Sequence, residues 1–214
     1  MKNMASDNHF LLQFFASRNP KFVLLKITPI LIGYFFVLLY YDFVFYKVIL
    51  TFLLGVLSWS LFEYFVHRVG YHKRTKNKKL QWYLDAMHLH HHNNLKDYGV
   101  LNAGFLLMYP LTVLVLTFVY LLTNNVALTV GFGLGMTFYY LFYEYVHYQI
   151  HKKYHKKGYL NLLQKYHLYH HYNNWNKNFG NTTTIWDKIF KTYDIRYKKL
   201  ILTENQLKDL IQKE

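Results

Sequence analysis

The chain has 214 residues and no cysteine, which excludes disulfides and thiolate metal sites; any metal must rest on nitrogen and oxygen ligands. Hydrophobic residues make up 53% and aromatics 21%, a content that excludes disorder and exceeds that of ordinary soluble domains. The net charge of +14 does not point to nucleic acid, because the basic residues cluster beside long apolar runs, where anionic lipid headgroups are the fitting partner, and no nucleic-acid module accompanies them.

Taken in order, residues 1–21 are polar with one greasy patch, Phe10–Phe15, which reads as an interfacial anchor retained at the N-terminus. Four apolar runs follow, at about 22–40, 48–66, 100–122 and 126–148, each long enough for a helix to cross a bilayer core. Lys26, near the start of the first, is expected to snorkel to the interface. Thr123–Asn125 is a tight link between the third and fourth runs. In the fourth, Gly131 and Gly135 form a G-x-x-x-G with Gly133 between, read as close helix packing, with a slot for a lipid tail as the alternative. A helix over 203–214 begins at a capping box, Thr203-Glu-Asn-Gln206, and repeats Leu207, Leu210 and Ile211 at helical spacing.

The stretch His67–Tyr98 carries seven Lys or Arg, and the tail after Tyr148 carries thirteen. The linking turns hold one or none. The positive-inside rule then places both segments, and both termini, in the cytoplasm. The expected architecture is a single all-α, multi-pass membrane domain over 1–214. Its four transmembrane helices carry a cytoplasmic cap made of 67–98 and 149–196.

Those two cap segments hold the chemistry, and they repeat. Phe62–His67 reads F-E-Y-F-V-H and Tyr143–His147 reads Y-E-Y-V-H; H-x-x-H-H follows as His88, His91, His92 and again as His167, His170, His171. The offsets are 80 residues (67 to 147) and 79 (88 to 167). Residues three and four apart share a helix face, so each H-x-x-H-H box forms one stripe, as do His147 and His151. His67 and His72 are five apart, and Gly70 between them is expected to let the helix end and turn. Ten histidines thus converge: His67, His72, His88, His91 and His92 from one half, and His147, His151, His167, His170 and His171 from the other. Neutral imidazole suits iron, copper, zinc and nickel. Ten imidazoles are too many for one ion and suit a dinuclear site. His9, His90 and His155 lie off the pattern. Glu63 and Glu144, one turn before His67 and His147, are expected to accept hydrogen bonds from outer histidine nitrogens and so fix their tautomers. Asp85 and Asp97 are weaker candidates for that role.

With these boxes in place, residues 62–192 resemble the fatty acid hydroxylase superfamily of integral-membrane, non-haem di-iron oxygenases. Glu63-Tyr64-Phe65-Val66-His67-Arg68 is similar to the E-Y-x-x-H-R of fatty acid 2-hydroxylases. Phe179-Gly180 and Trp186-Asp187-Lys188-Ile189-Phe190-Lys191-Thr192 are similar to the closing F-G…W-D-x-x-F-x-T. The chain departs from some 2-hydroxylases at Leu84 and Tyr166, where those carry further histidines. The resemblance implies two iron ions (zinc in some purified samples), O2 as co-substrate and a membrane lipid substrate. It also implies an external electron donor: a reductase, cytochrome b5 or ferredoxin. The expected activity is hydroxylation of a fatty acyl chain, free or in a sphingolipid-like lipid. Sterol desaturation or oxidation and carotenoid hydroxylation stand as alternatives in the same superfamily. A non-catalytic metal-binding or transport protein is the alternative from another class.

Overall fold

The computed structural model describes residues 21–84, 88, 92 and 105–212. The expected anchor at Phe10–Phe15, and His9, His90, His91, Asp85 and Asp97, lie outside the described residues. Within them the chain is all helical, with no strand. In order come α1 (Lys21–Tyr40), α2 (Phe45–Phe65) with a π-helical extension (Val66–Tyr71), α3 (Lys78–Leu84), α4 (Phe105–Thr123), α5 (Val126–Lys152), α6 (Gly158–Tyr172), α7 (Ile185–Ile189), a 3-10 turn (Ile195–Lys199) and α8 (Glu204–Gln212).

Among the described residues, three helices are long and apolar enough to cross a membrane, over Val23–Tyr40, Phe45–Tyr71 and Val126–Lys152; α4 carries a shorter apolar stretch, Tyr109–Thr123. Their outer faces are as greasy as their inner ones. Leu24, Phe35 and Leu39 of α1, Leu50 and Leu57 of α2, and Leu114, Phe118 and Leu121 of α4 are all exposed. Helices hydrophobic all round need an apolar solvent.

The long α5 lies at the centre, packed by α1, α2 and α4 within the bundle and by α6 beyond it. Asn125 caps it by accepting a hydrogen bond from Leu128 N at 3.0 Å. Its contact with α2 is backbone on backbone. A β-carbon at Gly135 would collide with the Phe52 carbonyl oxygen, one at Gly55 with the Phe132 carbonyl oxygen, and one at Gly131 would lie 2.9 Å from the Val48 oxygen. The G-x-x-x-G is therefore a packing motif, as read from the sequence.

Two local expectations are corrected. Lys26 does not snorkel outward: its side chain is fully buried beside Glu144 of α5. The carboxylate in the bundle supplies a partner that the open interface was expected to supply. Nor does the chain turn at Gly70. It continues as a π-helix through Tyr71, whose i to i+5 repeat brings residues five apart onto one side. His72 is thereby delivered to the same side as His67.

The cap folds back onto α2 through the closing motif. Asp187 accepts from Phe179 N and Gly180 N at 2.9 and 2.8 Å and from Thr192 Oγ1 at 2.7 Å. Trp186 Nε1 donates to Ser60 Oγ, and the Phe190 ring stacks on Tyr64. At the C-terminus Thr203 and Gln206 cap each other reciprocally, each backbone N–H donating to the other's side-chain oxygen. Leu202 and Leu207 then pack on Leu168 of α6.

Candidate metal centre

The ends of α2 and α5 and the length of α6 bring seven described histidines of the boxes into one region, and His88 and His92, from between α3 and α4, make nine. Five of them, His67, His72, His88, His92 and His170, offer nitrogens all within 4.8 Å of one another; His147, His151 and His167 form a second such group. His171 adjoins the second group, with its Nε2 2.9 Å from that of His167. Its ring also stacks on His92 of the first group, centroids 4.0 Å apart. The grouping differs from a simple division by halves, because His170 of the second box completes the group built from the first half. His155 joins neither group; its side chain meets the Gln149 carbonyl at 3.2 Å.

The orientation of the rings fits a cation. His67 Nδ1 donates to the Phe179 carbonyl at 2.5 Å, and His170 Nδ1 donates to the Lys177 carbonyl at 2.7 Å. With the proton held there, each Nε2 presents a lone pair inward. Adjacent Nε2 atoms stand 3.1 Å apart for His67–His88, 2.9 Å for His88–His72 and His92–His88, and 3.0 Å for His170–His72. In the second group the spacings are 3.1 Å for His147–His151 and 2.8 Å for His151–His167. Nitrogens at about 2.1 Å from one ion and at right angles to each other are about 3.0 Å apart. Inward lone pairs at this spacing repel one another, and a shared cation turns that repulsion into ligation.

Burial keeps these rings in the neutral, ligating form. It pushes His72 down to about 4, with Arg74 adding to the effect. It pushes His92 down to about 2, with nearby imidazoles contributing, and His170 well below the ordinary histidine range, helped by His92 and His72.

Glu63 does not bond to a histidine nitrogen in the expected way. Glu63 Oε1 accepts from Asn181 N at 2.7 Å and Thr182 N at 2.9 Å, and its Oε2 accepts from Thr182 Oγ1 at 2.6 Å. Glu63 thus anchors the loop whose Phe179 carbonyl holds His67, and acts at one remove. The reason is steric order along α2: the loop lies over that turn, and three donors converge on the carboxylate. Glu144 is flanked by Tyr140 and Lys26.

Sequence reasoning missed several contributors. Tyr71 stacks on His88, with centroids 4.7 Å apart and planes 9° from parallel. Trp175 donates to the His171 carbonyl and lays its ring against His92. The carbonyls of Lys177 and Phe179 carry no side-chain signal at all. The F-G pair and the asparagine-rich run over Tyr172–Asn181 were the signals that flagged that loop.

Fold and site together define a helical protein with membrane-crossing helices and paired polyhistidine clusters suited to metal. The family model described as fatty acid hydroxylase matches residues 52–192, and the chain belongs to that family. Dihydroceramide fatty acyl 2-hydroxylase FAH2 of Arabidopsis thaliana is 32% identical over 144 residues, which cover 64% of this chain and 58% of the relative. The ceramide very long chain fatty acid hydroxylase scs7 of Schizosaccharomyces pombe is 27% identical over 146 residues, covering 66% and 41%. The chain therefore spans well under two thirds of the length of these relatives. Among solved structures, full-length scs7p, of which only the hydroxylase domain is visible, superposes with a TM-score of 0.74 at 26% identity, covering 88% of this chain and 71% of the other.

Proposed function

We propose that this protein hydroxylates a fatty acyl chain, in a sphingolipid-like lipid or free, at a dinuclear iron centre. The observation that carries the proposal is the pair of histidine groups with Nε2 atoms turned inward at ion-sharing distance. They lie where the membrane-crossing helices α2 and α5 meet the cap. The names of the relatives, which act on ceramide or dihydroceramide acyl chains, favour this reading over a sterol or carotenoid substrate. Metal transport calls for ligands near the middle of the spans. Here His67 and His147 stand near the ends of theirs.

In this reading His67, His72, His88, His92 and His170 hold one ion, and His147, His151, His167 and His171 contribute to the other. The repeat makes His91 the counterpart of His170. As His170 serves the first group, His91 is assigned to the second, which makes five ligands each. Bound iron supplies the O2 activation that no side chain can perform on an inert C–H bond. The protein's own part is to hold, orient and shield. The Phe179 and Lys177 carbonyls fix two rings, Glu63 fixes the loop bearing Phe179, and the helical bundle keeps the acyl chain in an apolar medium. The remaining elements of the proposal are four spans with α4 as the third, an internal two-fold repeat, and a cytoplasmic cap facing an electron donor. The excess of Lys and Arg in the cap supports that orientation and would attract an acidic carrier.

The test is mass spectrometry of lipids from cells making the protein or its His171→Ala variant. An acyl lipid one oxygen heavier, seen only with the intact protein, supports the proposal. Loss of two hydrogens instead, or oxidation of a supplied sterol alone, overturns it.

A further inference from the structure

One stripe of α5 runs from Gly133 through Thr137, Tyr140 and Glu144 to His147, in steps of four and three residues that keep all five on a face. On α2, Trp59, Glu63 and His67 form a matching stripe. Both stripes end in histidines of the metal centre. Their other ends line a partly open cavity of about 30 Å³. Tyr34 of α1, Leu116 of α4 and Met136 of α5 stand in its wall beside Trp59, Gly133 and Tyr140. Leu111, Val115, Leu116 and Met136 make much of its wall apolar, which suits a hydrocarbon end, while Thr112 and Thr137 add hydroxyls.

The three glycines of α5 divide between two tasks. Gly131 and Gly135 face α2 and are used up by helix packing. Gly133 faces the cavity, where a β-carbon would lie 2.5 Å from the Tyr34 hydroxyl and 2.8 Å from Leu116 Cδ2. From Gly133 to His147 is 14 residues. That is about 21 Å of helix, the reach of an extended acyl chain of roughly sixteen carbons.

We propose that this cavity seats the methyl end of the acyl substrate, and that Gly133, Tyr34 and Leu116 set the chain length the protein accepts. The inference rests on the acyl-hydroxylase reading above. A chain with its reacting carbon at the histidines, running along the two stripes, ends at the level of Gly133. These residues touch the tail and not the reacting atoms. They determine specificity and take no part in the chemistry.

The experiment compares the full chain with Gly133→Ala and Leu116→Ala. Cells are fed an equimolar series of saturated fatty acids of graded length, and the lengths of the hydroxylated products are read by mass spectrometry. In parallel, thermal unfolding of the purified proteins is measured with each acid of the series. Gly133→Ala is expected to move both the product profile and the most stabilising acid at least two carbons shorter, with a several-fold change in the long-to-short ratio. Leu116→Ala is expected to move both the other way. Hydroxylation with an unchanged length profile in Leu116→Ala overturns this inference and leaves the hydroxylase reading standing. If the parent hydroxylates no acyl lipid, that reading fails. The thermal series then decides alone: a length optimum that moves with Leu116→Ala supports the acyl seat, and a flat or unmoved series overturns it. Leu116→Ala carries the test by itself if Gly133→Ala does not fold.

Discussion

The two histidine groups differ in where their residues come from. The second group, His147, His151 and His167, is drawn from α5 and α6, neighbours in sequence and space. The first needs the end of α2 and its π-helical extension, His88 and His92, and then His170 from the far end of α6. Two of its rings are also held by carbonyls of the 177–179 loop. The three described rings of the second group can be ordered by one helical hairpin, whereas those of the first come together only when both halves of the chain and the cap have met.

The sharpest way to break this comparison is His170→Ala. We expect the metal content to fall from about two ions per chain to about one, and hydroxylation to fall by more than roughly 100-fold, since even outer partners of a ligand are worth 10–100-fold. Elemental analysis and product mass spectrometry read both. His151→Ala should also halve the metal but leave the ion of the first group in place, and the double variant should hold none. If either single variant empties both sites, the two groups form one cooperative unit and the contrast fails.

Glu63→Gln should separate them more gently. A buried acceptor of three donors becomes an amide, costing about 1–3 kcal/mol of stability. The loop then loosens behind His67, and affinity for the first ion should fall by roughly 10-fold or more, with the second unchanged. Equal weakening of both ions in a competition titration would remove the special dependence of the first group on the loop.

The smallest effect is expected at Arg196, which pairs with Asp194 at 2.6 Å on the cap. Hydrogen bonds from Arg196 hold the Asp194 carboxyl down to about 2, below its ordinary 3.8. A depressed carboxyl stabilises the fold above its ordinary value, and that contribution is lost as pH falls through about 2. Arg196→Ala should therefore start acid unfolding at higher pH while leaving both ions bound at neutral pH. Loss of either ion there would show that the cap's outer edge also supports the centre.

The sequence carried the parts of this molecule that depend on short-range periodicity. The long apolar helices, the H-x-x-H-H stripe on α6, the capping box at Thr203 and the packing glycines were all legible because each is a relation among residues a few positions apart. What was not legible depends on partners far along the chain. Glu63 takes its donors from Asn181 and Thr182, 118 and 119 residues away. Backbone carbonyls at 177 and 179 have no residue identity to read. His170 shares a stripe with His167, and no spacing rule says that it serves the other group. The π-helix was missed for a different reason, since a spacing of five looks like a break when only α-helices are considered.

The burial of Lys26 bears on how the molecule is made. Glu144 follows it by 118 residues, so a ribosome delivers α1 long before its counter-charge exists. A lysine at the centre of a spanning helix costs about 2.5–3.5 kcal/mol at insertion, a cost that Lys26, near the start of α1, can lower by snorkelling. During synthesis its long stem must therefore reach back to the headgroups. Only when α5 enters the membrane can the ammonium swing inward. Although α1 precedes α5 in the chain, it is in this respect among the last helices to take its final place, and its docking reports that the helix bearing His147 and His151 has arrived.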